Sequence, residues 1–275
     1  MNIFEFETEI ISTETFTDQL SQFIRKGDTV YVEIDVMKFG KLCNPLMQKN
    51  ELLHQIFLIF YNLIGESGNL IIPSFSYSWG YTSNKKIFDV RNTKGQVGIF
   101  PEYFRTMEGV LRTPDPMFSL LVYGKDKKYF TDIGNDSFGK RSSFNKMHEA
   151  NAKLVMFGLK SYGPMFVHYT EQYYDEHIGK IDYRFLKKFE GDLIDYEGKC
   201  SSTPHYAFVR PPDTKLCFGD QKIVNGLKKK GRFGSVKIGN GNVSVSDCQS
   251  VFDTGIEGLK KDKHFFVEEL VNDLT

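Results

Sequence analysis

Two hydrophobic rhythms alternate along the first two thirds of the chain. Phe16, Leu20, Phe23 and Ile24 recur at helical spacing behind Ser12, Thr13 and Thr15, which can cap a helix, and Lys26-Gly27 closes that pattern. Thr29–Asp35 is β-branched and reads as a strand running into a loop, and Glu51–Ile64 as a largely buried helix ended by Gly65. Asn69–Ser78 is the next strand, 98–107 a helix, Leu120–Gly124 a strand, 143–149 a helix, and Lys153–Leu159 a strongly apolar strand. A helix over 165–174 follows Gly163-Pro164, a pair suited to a helix start. Continuous apolar strands separated by helices predict a parallel-type sheet covered on both faces.

Beyond residue 180 the texture changes. Tyr183–Phe189 and Pro204–Val209 read as strands around the polar turn Asp195–Lys199, and Asp220–Lys230 as a helix. A hairpin follows, Phe233–Ile238 with Asn242–Val245, around Gly239-Asn240-Gly241. Helices over Asp247–Lys260 and Asp262–Leu270 complete the reading. The pattern predicts an α/β core over 1–180 and an α+β portion over 181–275 that packs on it and walls a cleft.

Charge narrows the function. Lys+Arg and Asp+Glu both number 35, so the net charge is zero, which argues against a general nucleic-acid or anionic-membrane binder. The longest apolar run, Ile56–Ile64, is far short of the roughly 20 residues that span a bilayer. The acidic start MNIFEFETEI lacks the basic region of a secretory signal, and Cys43, Cys200, Cys217 and Cys248 show no paired spacing. A cytoplasmic protein with reduced thiols is the expectation.

Of six histidines, His54, His148 and His264 sit where packing or solvent explains them, and His177 lies in a charged loop without a partner pattern; His168 differs. It follows an apolar strand and a glycine-rich turn, and Glu171 stands three positions later on the same helical face. A carboxylate beside an imidazole fixes its orientation and raises its basicity, which suits a general base, although a purely structural pair has the same pattern. No second acidic or histidine pair supports a metal, and neither a phosphate loop nor a nucleophile elbow is present.

Several segments taken together resemble the aminoglycoside 3-N-acetyltransferase family. They are Pro73-Ser-Phe-Ser-Tyr-Ser78, Phe88-Asp89, Thr93, Gly98-Ile-Phe-Pro101-Glu102-Tyr-Phe-Arg105, Gly109-Val-Leu-Arg112-Thr113, Pro116, Ser119 and Gly124. Phe138-Gly139, Ser142-Ser-Phe-Asn-Lys146, Lys153-Leu-Val-Met-Phe-Gly158 and His168-Tyr-Thr-Glu171 continue the series in order. The resemblance implies a three-layer α/β/α core with an added α+β portion, and direct transfer of an acyl group from acetyl-CoA or another acyl-CoA to a sugar amine, without a metal. It makes His168 the general base and Glu171 its support. It aligns Asp35, Val36, Met37, Lys38, Phe39 and Gly40 with the cofactor loop, together with Arg112, Thr113 and Ser119.

The chain departs from the family where the first loop reads Glu33-Ile34-Asp35 in place of His-Ser-Ser, and where Asp115-Pro116 replaces His-Pro. Tyr183-Arg-Phe-Leu-Lys-Lys-Phe-Glu-Gly191 and Tyr206-Ala-Phe-Val-Arg210 look like the branch associated with surface polysaccharides. That points to an amino-sugar acceptor, nucleotide-linked, with Ser76, Tyr77, Asp115, Tyr183, Arg184 and Arg210 on the acceptor side. An aminoglycoside acceptor and a non-catalytic binding protein on the same fold are the alternatives. A monomer or homodimer, with no nucleic-acid or membrane partner, is expected.

Overall fold

Seven strands form one mixed sheet in the computed structural model, which describes residues 1–80, 86–211 and 214–272. Their order across the sheet is Gly234–Ile238, Gly241–Asp247, Lys153–Phe157, Thr29–Ile34, Asn69–Pro73, Leu120–Gly124 and Leu111–Arg112. Only the central three run parallel, Thr29–Ile34 pairing with Asn69–Pro73 on one side and Lys153–Phe157 on the other. The outer pairs are antiparallel, so the parallel sheet read from the sequence is confined to the middle. The hairpin 234–247 joins this sheet directly beside Lys153–Phe157.

Alternation along the strands builds two cores. Tyr31, Ile71, Leu120, Val122, Leu154 and Met156 face one side, where Phe144, Phe166, Val167, Ile223, Leu227, Val251 and Leu259 of the flanking helices cover them. Val30, Val32, Leu70, Ile72, Leu121, Val155 and Phe157 face the other, under Phe16, Leu20, Leu53, Ile56, Phe60 and Phe104. Each such side chain contributes about 1.5–3 kcal/mol on burial, which is why a strand one residue out of register would be untenable here. The result is an α/β/α arrangement. The helix Lys49–Ile64 ends as the glycine predicts, with Gly65 at φ 65° and its N–H on the Tyr61 carbonyl at 2.8 Å.

Several expectations need correction. The first helix spans only Thr13–Leu20, held at its start by a reciprocal Ser12–Thr15 capping box, and Phe23 and Ile24 follow in a turn. The strand from Asn69 stops at Pro73; beyond it the chain leaves extended geometry, with Tyr77 at φ 51°. The expected helix Asp262–Leu270 is absent. Val267–Asn272 is a strand paired antiparallel with Thr214–Phe218, because a partner edge distant in sequence offers Val267, Leu270 and Val271 a ladder that local propensity could not show. Small sheets around the core also escaped the reading, among them Asn2–Phe6 with Glu9–Ser12 and Lys41–Leu42.

The C-terminal ends of the three parallel strands open onto the loops 35–40, 74–78 and 158–164. Gly158, at φ 77°, lets two of them touch: a Cβ there would lie 2.3 Å from the Asp35 carbonyl oxygen. Sites in open α/β sheets form at this end.

Candidate active site

The helix Val167–His177 starts beside this edge. Its entry is tied to the central strand, because the Met165 N–H donates to Glu33 Oε1 at 2.7 Å and the His168 N–H to the Met165 carbonyl at 3.1 Å. Three residues on, the predicted pair closes: His168 Nδ1 lies 2.6 Å from Glu171 Oε2. With the carboxylate ionised, Nδ1 is the donor, so Nε2 carries a lone pair and no proton, the arrangement a general base needs.

Residues from the next segment complete the cluster. The Tyr183 hydroxyl donates to Glu171 Oε1 at 2.8 Å, and Arg184 Nε lies 3.0 Å from Glu171 Oε2. Arg184 also places Nη2 3.4 Å from His168 Nε2. Phe138 stands edge-on to the imidazole, ring centroids 5.7 Å apart. Glu171 is 1 % exposed. Burial pushes its carboxyl up, yet Arg184, His168 and Tyr183 outweigh burial and hold it below the usual carboxylate value. Burial and the Arg184 guanidinium hold the imidazole below the ordinary histidine value, against the upward pull of Glu171. The first shift keeps Glu171 ionised; the second favours the neutral imidazole.

The other predicted residues fall into two groups. On the first loop, Asp35 Oδ1 accepts from the Met37 N–H at 3.2 Å and caps the 3₁₀ turn Val36–Lys38, and Lys38 Nζ lies 3.6 Å from Asp35 Oδ2. Val36 and Phe39 are buried, the latter packed on Phe157 at 4.5 Å between ring centroids, while Met37 and Lys38 project outward. Met37, Lys38 and Gly40 line a groove of about 460 Å³ with Lys41 and Asn240. A larger cavity of about 570 Å³ lies against Gly65, Gly124 and Lys127, at the opposite end of the sheet from His168.

Arg112, Thr113 and Ser119 are buried. Arg112 spends its guanidinium on the chain itself, donating to Ser119 Oγ at 3.0 Å, to the Ser74 carbonyl at 2.7 Å and to the Thr93 carbonyl, with Phe88 beneath it at 4.8 Å. Burial pushes its pKa down to about 10, which leaves it charged. Ser119 Oγ donates to the Ser74 carbonyl at 2.6 Å and Thr113 Oγ1 accepts from the Leu120 N–H at 2.9 Å. These three side chains knit the loops 74–78 and 113–119 together.

On the acceptor side, Ser76 donates to the Pro116 carbonyl at 2.9 Å, and Tyr77 packs edge-on against Phe118 at 5.5 Å. Asp115 Oδ1 accepts the Met117 and Phe118 N–H groups at 2.8 and 2.7 Å and lies 3.2 Å from His205 Nε2. That same nitrogen is 3.0 Å from Ser137 Oγ, so Ser137, His205 and Asp115 meet at one ring nitrogen rather than along a relay, which makes the cluster a brace. Arg210 is exposed just past the strand His205–Val209, whose Val209 pairs with Phe185, the residue after Arg184. Tyr183 and Arg184 are thus the acceptor-side candidates that the fold brings to His168.

Sequence reasoning missed Phe138 as part of the site, and it placed Glu33 on the co-substrate loop, where the structure ties it to the start of the His168 helix; burial pushes the Glu33 carboxyl up to about 7.

A family model described as aminoglycoside 3-N-acetyltransferase matches residues 48–260, well over half of the chain. The chain belongs to the aminoglycoside 3-N-acetyltransferase family. It is an N-acyltransferase by that membership. Comparison with curated proteins finds no match. Among solved structures, AAC-IIIb in a binary complex with CoASH is similar at a TM-score of 0.71 and 20% identity, over 91% of this chain and 97% of that one. Sisomicin-bound AAC-VIa gives 0.71 at 18% identity, over 91% and 98% of the two chains. The YokD protein from Bacillus subtilis gives 0.70 at 16% identity, over 92% and 94%. These similarities establish the α/β/α fold with its added strands. Among the described residues no cluster suited to a metal ion occurs, and no helix is long and apolar enough to cross a membrane.

Proposed function

We propose that this acyltransferase moves an acetyl or other acyl group from acyl-CoA to the amine of an amino sugar, with His168 as general base. The 2.6 Å bond from His168 Nδ1 to Glu171 carries the reading, because it puts the ring proton on Nδ1 and leaves Nε2, against which Arg184 Nη2 rests at 3.4 Å, unprotonated to take the proton of an attacking amine. The amine nitrogen bonds to the thioester carbonyl carbon and the carbon–sulfur bond breaks. The amine's proton passes to Nε2, and the coenzyme thiolate leaves and is protonated. On this reading the co-substrate lies along the first loop: Lys38 and Lys41 meet its phosphates in the groove they share with Glu5 and Glu7, and the N–H groups of the turn Val36–Lys38 other than that of Met37, which Asp35 holds, face the developing oxyanion. A cytoplasmic location agrees with the free thiols of Cys43, Cys200 and Cys248.

For the acceptor, the zero net charge supports a nucleotide-linked amino sugar of surface-glycan assembly over a polycation. The portion after residue 180 would then wall the acceptor side, as its Tyr183 and Arg184 already reach the catalytic pair. A second reading, an aminoglycoside acceptor, is favoured by similar structures that hold sisomicin and gentamicin. Mass spectrometry of products from acyl-CoAs offered to amino-sugar nucleotides and to aminoglycosides separates the two. His168→Ala should cut turnover on the accepted amine at least about a hundredfold. Unchanged turnover would remove His168 from the mechanism.

A further inference from the structure

The chain returns to the catalytic helix with two consecutive residues, one for each oxygen of the same carboxylate. Tyr183 takes Glu171 Oε1 and Arg184 takes Oε2, so with His168 the carboxylate has three partners. Both sides of this dipeptide are anchored. Before it, Asp182 Oδ1 meets His264 Nε2 at 2.8 Å and Asp182 Oδ2 pairs with Lys263; after it, Phe185 opens a strand paired with His205–Val209. Arg184 is therefore delivered to the pair by the fold and does not reach it as a loose surface cation. Its side chain is 13% exposed.

The placement is unusual for a charge that only neutralises Glu171. Nη2 lies 3.4 Å from His168 Nε2, on the nitrogen opposite the one bonded to Glu171. The imidazole is thus gripped from both ends, by an anion at Nδ1 and a cation at Nε2. A protonated imidazole would set two cations against each other; the neutral Nδ1–H form satisfies both partners. Nε of Arg184, though 3.0 Å from Oε2, is buried without an aligned hydrogen bond, so charge is what holds the guanidinium there.

We propose that Arg184 is the third member of the catalytic pair, a positioning cation clamped between Glu171 and Nε2 of His168 that selects the form of the imidazole able to act as base. The proposal rests on the reading of His168 as the base. The groups facing His168 among the described residues are Glu171 from its own helix, Arg184 from the following segment and the uncharged ring of Phe138. Among the described residues Glu171 in turn meets His168, Tyr183 and Arg184. With Arg184 gone, the single charge left beside the ring is the carboxylate, and proton binding to His168 must strengthen.

The test is a histidine titration of the full chain by NMR, which reads the ring protons without turnover. His168→Gln identifies the His168 signal among six histidines. In the unaltered chain His168 should titrate below about 6.5, the ordinary histidine value. Arg184→Gln should raise the midpoint by about one unit or more, a tenfold gain in proton affinity, while Arg184→Lys keeps part of the depression. A midpoint above 6.5 in the unaltered chain overturns the proposal, and so does an unmoved midpoint in Arg184→Gln with the other five histidines unchanged. If Arg184→Gln fails to fold, the unaltered chain and Arg184→Lys decide. A failed His168→Ala turnover test would strike the base itself; a failed titration strikes only Arg184.

Discussion

Replacing Glu171 by glutamine keeps the size of the side chain and removes its charge, which makes it the sharpest probe of the site. In the folded chain this carboxylate accepts from His168 at 2.6 Å and Tyr183 at 2.8 Å and faces Arg184 at 3.0 Å, with 1 % of its surface exposed. Glutamine can still accept from Tyr183, but it leaves Arg184 buried beside no anion. Breaking a buried pair in this way costs about 3–5 kcal/mol, within the roughly 5–15 kcal/mol stability of a typical domain, so a folded but weakened protein is expected. The effect on turnover is separate. An amide N–H turned toward Nδ1 favours the opposite tautomer, which puts the proton on Nε2 and removes the base. Loss of general-base catalysis corresponds to about 10²–10⁴ in rate, or roughly 3–5 kcal/mol of barrier.

Steady-state kinetics at several pH values checks this. kcat should fall by about that factor while the KM for acyl-CoA stays within about threefold, since Glu171 does not reach the co-substrate loop. With the anion gone and Arg184 retained, His168 should bind protons more weakly, so the acidic limb of the profile moves to lower pH. The carboxylate also contributes stability through a lowered pKa, a contribution present above the unfolded carboxylate value and lost as pH falls through the folded one. The variant should therefore lose less stability than the parent on acidification. A kcat within about threefold of the parent in a folded variant would refute the orienting role.

Two further outcomes follow from buried charges. Arg112→Met keeps the apolar stem over Phe88, takes the guanidinium from the Thr93 carbonyl and leaves the Ser74 carbonyl only its Ser119 donor, which should cost about 1–3 kcal/mol in urea denaturation and leave acyl-CoA affinity within about twofold; a tenfold loss of affinity at unchanged stability would show that this arginine serves the co-substrate instead. Glu33→Gln tests the opposite sign. Because burial raises this carboxyl to about 7, the parent loses stability as pH climbs from about 4.5, where the unfolded chain ionises, to about 7, by up to about 3 kcal/mol. Glutamine is free of that loss, so the variant should match the parent at pH 4 and exceed it at pH 8; equal stability at both would mean Glu33 is not a strained acid.

Legibility in the sequence followed the range of the interaction. The helix Lys49–Ile64 and the strand Lys153–Phe157 were readable because their burial follows local periodicity, and His168 with Glu171 because three residues on a helix share a face. Resemblance assigned the pair a role that spacing alone left open. What could not be read depends on distant partners. Arg112 looks like a ligand for phosphate in any linear reading, and only the fold shows its donors turned inward to Ser74, Thr93 and Ser119. Tyr183 and Arg184 carry no spacing that ties them to Glu171; a turn and an anchored Asp182 bring them there. Val267–Asn272 became a strand because Thr214–Phe218 offers it an edge.

The position of the hairpin 234–247 has a consequence for how the enzyme comes into being. Lys153–Phe157, whose far end leads to the helix that carries His168 and Glu171, has Thr29–Ile34 on one side and Gly241–Asp247 on the other. During synthesis that second side stays an open ladder of unpaired amides until nearly ninety further residues have been added. Closing it spans a long stretch of chain, the kind of step that makes a fold slow and leaves its intermediates adhesive. A chain stopped short of the hairpin would carry both His168 and Glu171 and still present an unsealed edge beneath them.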